Sequence, residues 1–277
     1  MDSSTSHHED FDAVDSWNRN AEYWDQHVGV GGNRYWTRLQ EPCLQKFLCE
    51  HLKRNNCRAL EFATGNGLCA RWMAQRGARV LATDGAASML ERAKARCAHE
   101  DKIEFMKVDV TSDEEIDVLT KDGERFDIIL INMAIMDIST LEPLARALPK
   151  LLKKDGLFVA TLLHPVFMTS IYSRTAERKF NSERLDWDDT IGKTIFEYLH
   201  VKPYKGVAQV GQEYPQLYFH RPIHEILSIF FRTGLVLDGF EEPCFTAEDA
   251  DPDRLMSSFN FTQLPPIMGF RMRVMDN

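Results

Sequence analysis

The chain contains no block of lysine and arginine. Its 33 basic residues are outnumbered by 42 acidic ones, for a net charge of −9. Without a basic stripe, tight electrostatic binding to the phosphates of a nucleic acid is disfavoured. Long apolar runs are missing as well. The two longest, around Ile128 to Ile138 and Leu157 to Met168, are broken by Asn132, Asp137 and His164 and are too short for a bilayer. The six cysteines, Cys43, Cys49, Cys57, Cys69, Cys97 and Cys244, have no paired metal-type spacing. Reduced, mostly buried thiols are therefore expected. No His/Asp/Glu cluster has ligand spacing either, and His7-His8 in the polar N-terminal segment is not one. The first ten residues, acidic and polar, lack the basic and apolar regions of a signal peptide and read as a frayed tail. These absences point to a soluble, cytoplasmic protein with no metal, no nucleic-acid partner and no membrane, a monomer or a homodimer.

What is present is an ordinary globular composition, 277 residues with 44% hydrophobic, enough for one elaborated domain. From residue 58 onward, strand-like apolar runs at 59–63, 79–83, 103–108, 126–131 and 157–163 alternate with helical patterns at 68–76, 87–98, near Glu114 and at 141–152. That alternation predicts a parallel sheet with helices on both faces. Residues 1–55 read as a tail and two helices. The first carries Trp17, Ala21, Trp24 and Val28 on one face, and the glycine-rich Gly29-Val30-Gly31-Gly32 would let it move as a lid. Residues 56–166 form the core, and 167–216 form a polar and aromatic insertion with little periodicity. Residues 217–277 complete the sheet with a helix at 222–232 and strands at 235–240 and 268–274.

Glu61-Phe62-Ala63-Thr64-Gly65-Asn66-Gly67 places a glycine turn between the first core strand and the following helix, and Asp84 ends the next strand. A backbone without Cβ atoms at such a turn can approach a bound nucleoside. Asp109-Val110 follows the third strand and Asn132-Met133 leaves the fourth. In this order the residues resemble the motifs of class I S-adenosylmethionine-dependent methyltransferases over about residues 59–163, with alanine at 63 where that family most often has glycine. The resemblance implies a Rossmann-like three-layer α/β sandwich, with a mostly parallel seven-stranded sheet whose last strand is reversed. It further implies that Glu61, Ala63 and Gly65 meet the methionine part of S-adenosylmethionine, that Asp84 and Gly85 meet the ribose, and that Met89, Asp109 and Val110 meet the adenine. Asn132 and Met133 would lie beside the methyl donor, with Trp36 covering it from the N-terminal helices. Taken singly, Asp84 and Asp109 are helix caps, and Met89 and Met133 core filling. Jointly they favour ligand contact.

Two other readings stay open. Gly65-Asn66-Gly67-Leu68-Cys69-Ala70 also satisfies the dinucleotide pattern G-x-G-x-x-A, which admits an NAD(P)-dependent oxidoreductase. Glu61 is awkward there, since a carboxylate repels a pyrophosphate and attracts an ammonium. A non-methylating member of the same fold is the other alternative. If the acceptor needs a base, His164 at the end of the fifth strand and His220 before the next helix are the candidates, each of which can equally be structural. The fourth-strand exit lacks the Asn/Asp-Pro-Pro-aromatic box of adenine-amino methylation. The chain resembles microbial and fungal small-molecule, natural-product methyltransferases, which implies transfer to O, N or S of a small, largely apolar metabolite in secondary metabolism, with S-adenosylhomocysteine as product.

Overall fold

The computed structural model describes residues 13–121, 123–169 and 172–275. The N-terminal tail with His7 and His8 lies outside them. Seven strands make one sheet in the order β10-β11-β5-β4-β1-β2-β3. Strands β1 (Arg58–Phe62), β2 (Arg79–Asp84), β3 (Ile103–Lys107), β4 (Phe126–Asn132) and β5 (Leu152–Leu163) run parallel. β11 (Ile267–Val274) is antiparallel both to β5 and to β10 (Leu235–Glu241). The sheet is thus the seven-stranded, mostly parallel one with a reversed last strand that the resemblance implies.

Strand alternation divides the core into two layers. Leu60, Phe62, Ile129, Ile131, Phe158 and Ala160 face one layer, while Ala59, Ile128, Leu130, Leu157 and Val159 face the other. Both faces of the central strands are covered, which is why β4 reads as an unbroken apolar run instead of an alternating one. On the first face pack α5 (Asp113–Lys121), α6 (Glu142–Leu151) and α7 (Ile223–Phe231), and Phe158, Phe230 and Phe270 meet there with ring centroids 5.0–6.0 Å apart. On the second pack α2 (Glu41–Leu52) and α3 (Leu68–Gln75). The helical pattern expected to run on from Trp36 is split, with a π-helical turn over Trp36–Gln40 preceding α2. Pro42 has no N–H to continue a regular i→i−4 ladder backward, and the wider turn absorbs the break.

Helix α1 (Ala13–Val28) lies over α4 (Ala87–Arg96), with Val14, Trp17, Ala21 and Trp24 meeting Ala86 and Met89. It is also fastened at several points. Asp25 accepts from Asn66 at 3.2 Å and from Arg96 at 2.5 Å, and Asn20 donates to the Tyr214 carbonyl at 2.8 Å.

The insertion is more regular than its composition suggests. Residues Tyr172–Asn181 (β6) and Asp186–Ile195 (β7) form a ten-pair antiparallel hairpin apart from the main sheet, and Tyr204–Gly206 (β8) pairs with Gln216–Tyr218 (β9). The hairpin escapes a periodicity reading because most of β6 and β7 is solvent-exposed and polar, so no apolar face enforces alternation. Among the described residues no helix is long and apolar enough to cross a membrane.

Phe158 is fully buried where three rings meet. Phe158→Ala is expected to cost about 3–5 kcal/mol, measured as a lower denaturant midpoint in equilibrium unfolding.

Candidate active site

A cavity of about 650 Å³ opens at the carboxyl ends of β1, β2 and β4, roofed by α1 and walled by β8 and β9. Ligands of open α/β sheets bind at this edge. Every cofactor residue expected from the sequence lines it, except Trp36.

The chemistry begins at Glu61. It sits on β1, an interior strand of the sheet, and is 1% exposed, and its Oε2 accepts from Thr64 Oγ1 at 2.7 Å. Burial drives its pKa up to about 8, against the opposing Thr64 hydrogen bond. Asp84, at the end of β2, accepts the Gly65 N–H on Oδ2 and the Ala86 N–H on Oδ1, both at 2.8 Å. Burial raises it to about 6. Asp84 therefore organises the loops after both β1 and β2, and a carboxylate with four acceptor sites retains capacity for a ligand hydroxyl. Asp109 follows the same pattern, its Oδ1 taking the backbone N–H and the hydroxyl of Thr111 at 2.8 and 2.7 Å. The cap and ligand readings of these aspartates are compatible, since each stabilises its own turn while lining the cavity.

Two non-glycine residues on the cavity wall have left-handed backbones, Ala63 with φ 53° and Met133 with φ 55°, just beyond β1 and β4. Such conformations cost energy and concentrate where function holds them. Gly67, with φ 83°, begins α3, and a Cβ there would lie 2.9 Å from Cys97 Sγ and 3.2 Å from Ala93 Cβ. The turn and α4 are thus packed against each other at contact distance.

At the other end, Asn132 accepts from Thr161 Oγ1 at 2.6 Å and donates to Gln40 Oε1 at 3.1 Å. Beyond it lie Asp137, Gln216, Tyr172, Tyr204 and Tyr218. Tyr204 and Tyr218 stack with centroids 5.2 Å apart. His27, whose pKa is lowered by burial, also lines the cavity.

Three expected site residues sit elsewhere. Trp36 is 4% exposed and packs edge-to-face on Trp72, under Gly32, where a Cβ would collide with the indole ring. It is a core anchor, whereas Trp24 is half-buried and on the cavity wall. His164 is 1% exposed and turned from the cavity. Its Nδ1 accepts the Val166 N–H at 3.2 Å, so Nε2 carries the proton donated to Glu242 Oε1 at 2.8 Å. It joins the exit of β5 to the segment after β10. Burial lowers its pKa, with Glu242 opposing. His220 donates through Nε2 to the Tyr198 carbonyl at 2.6 Å and borders only a small neighbouring recess. Burial lowers its pKa too. Of the insertion aromatics, Tyr172 and Tyr204 reach the cavity, while Phe180, Trp187 and Phe196 are exposed.

The sequence reading passed over Asp137 and Gln216. A signal existed for the first, an acid interrupting an apolar run just past a strand exit. Gln216 comes to the cavity only through the β8–β9 pairing. Among the described residues no group of three or more His, Cys, Asp or Glu could hold a metal ion, and all six cysteines are free thiols.

Residues 60–160 match the family model described as a methyltransferase domain. The fold is matched by the crystal structure of an S-adenosylmethionine-dependent methyltransferase from Mesorhizobium loti, with a TM-score of 0.61 at 23% identity over 88% of this chain and all of that one. Residues 60–160 are thus similar to a methyltransferase domain, and the fold around them is one that S-adenosylmethionine-dependent methyltransferases share. The chain is 32% identical over 109 residues, 39% of its length, to the ubiquinone biosynthesis O-methyltransferase of Bartonella tribocorum. It is 30% identical over 102 residues, 37% of the chain, to the demethylmenaquinone methyltransferase of Clavibacter sepedonicus. The matched stretch spans 42% and 39% of the lengths of these two relatives.

Glu61 and Asp84 hold their protons to higher pH in the folded protein than in the unfolded chain. Their contribution to stability is complete below the ordinary carboxylate range and is lost as pH rises, up to about 8 for Glu61 and about 6 for Asp84. The melting temperature of the ligand-free protein should fall across that window, and Glu61→Gln should flatten the upper part of the fall in a thermal-shift series. His164→Ala should cost about 1–3 kcal/mol of stability by removing the bond to Glu242, and leave S-adenosylhomocysteine affinity unchanged in calorimetry.

Proposed function

We propose that the chain transfers a methyl group from S-adenosylmethionine to an O, N or S atom of a small metabolite of the kind modified in secondary metabolism. The carrying observation is the buried Glu61 beside the left-handed Ala63, with no lysine or arginine among the described residues that line the cavity. An uncompensated carboxylate in a low-dielectric site attracts a cationic amino-acid moiety. The same lining speaks against the NAD(P) reading, because a pyrophosphate would meet Glu61 and Asp84 with no basic side chain to balance it.

In this reading Glu61 receives the ammonium of the methionine part, Asp84 the ribose hydroxyls and Asp109 the adenine amino group, with Met89 and Val110 against the ring. S-adenosylmethionine supplies a methyl already activated on a sulfonium, so the protein's work is alignment and exclusion of water. Helix α1 covers the site, Asn132 is held rigid by Thr161 and Gln40, and the tyrosines of the insertion wall off the acceptor end. A base on the acceptor side is no longer sought at His164 or His220. The Bartonella and Clavibacter relatives are named for quinone-pathway methylations, which supports a small-molecule acceptor with an apolar body.

Calorimetry should show S-adenosylhomocysteine binding and NAD not binding. Because the ligand ammonium needs the carboxylate form of Glu61, affinity should rise with pH up to about 8, with proton release on binding. Glu61→Gln should weaken binding by at least about tenfold, roughly 1.4 kcal/mol, and remove the proton release. Preferential binding of NAD would overturn the assignment.

A further inference from the structure

Four carboxyl side chains line the cavity, Glu61, Asp84, Asp109 and Asp137, and only three have a part to play toward S-adenosylmethionine. Asp137 is left over. It ends the short turn Ile135–Asp137 beyond β4 and is 6% exposed. Its Oδ1 accepts from Gln216 Nε2 at 3.2 Å, while its Oδ2 is buried with no hydrogen-bond partner among the described residues.

Gln216 leaves no ambiguity about this contact. Its Oε1 already accepts from Trp24 Nε1 at 3.2 Å and Gln212 Nε2 at 3.0 Å, so the amide must present its NH₂ to Asp137. The aspartate is therefore held in place from one side and unanswered on the other. Burial pushes its proton affinity far above the usual carboxylate range, and the single bond from Gln216 offsets little of that. No lysine or arginine lines the cavity to compensate it among the described residues. Buried carboxyls are ordinarily paired, and an orphaned one is a cost that folding alone does not explain. Tyr204 and Tyr218 stand close enough to feel its charge, and Tyr172 lines the same cavity, offering π-faces of the kind that accompany bound ammonium groups.

Building on the methyltransferase reading, we propose that the acceptor is an amine whose nitrogen docks on Asp137 Oδ2, with its apolar body against Tyr172, Tyr204 and Tyr218. A neutral hydroxyl would answer the hydrogen bond alone; an ammonium would also stabilise the ionised form that burial otherwise disfavours.

The test uses the full chain saturated with S-adenosylhomocysteine and two matched probe pairs, phenethylamine with 2-phenylethanol and tyramine with tyrosol, titrated by calorimetry. Each amine is expected to bind at least about tenfold more tightly than its alcohol. Asp137→Asn should abolish that preference with S-adenosylhomocysteine affinity intact. It should also leave the ligand-free protein as stable as the unaltered chain or more so, since an amide removes the charge-burial cost. A structural aspartate would instead show a lowered melting temperature. Equal or undetectable binding of amine and alcohol to the unaltered chain overturns the proposal without recourse to any variant, as does a preference that survives in Asp137→Asn. Failure of S-adenosylhomocysteine itself to bind would sink the methyltransferase reading and this proposal together, whereas its binding without an amine preference sinks the Asp137 assignment alone.

Discussion

Glu61 is carried into the interior of the sheet by β1, a strand with parallel neighbours on both sides, and is sealed there at 1% exposure. Burying a carboxyl without a cation opposes folding, and much of the surrounding architecture accommodates that cost. Thr64 turns its hydroxyl back onto the carboxylate, the left-handed Ala63 swings the chain clear of it, and Asp84 pins Gly65 so that the loop cannot collapse over it. The hydrophobic layers on the two faces of the sheet supply the stability that lets so unfavourable a group persist. A site that stores electrostatic imbalance in this way is poised to bind, since the missing charge comes with the ligand.

The fold was legible in the sequence to the extent that hydrophobic periodicity could express it. The inner parallel strands announce themselves because both faces are buried, and the turn after β1 because its glycines have few other uses. The reversed β11 was legible only through resemblance, since antiparallel placement leaves no mark on an eight-residue apolar strand. The β6–β7 hairpin was not legible. It has little core to face, so its pairing is written in backbone geometry instead of side-chain pattern.

The site divides along the same line. Residues at strand ends, such as Glu61, Asp84 and Asp109, could be placed because their location follows from the sheet. Trp36, His164 and His220 were judged by residue type, and type does not say which way a side chain turns. The indole of Trp36 and the imidazole of His164 each found a partner far off in sequence, the buried Trp72 and the exposed Glu242. Asp137 and Gln216 meet across 79 positions, a juxtaposition that no local pattern encodes.

Helix α1 reaches the turn after β1 through Asp25 and Asn66, and reaches β9 through Trp24 and Gln216. One rod thus forms a common ceiling for both compartments of the cavity. Any tilt of that rod would widen the two ends together.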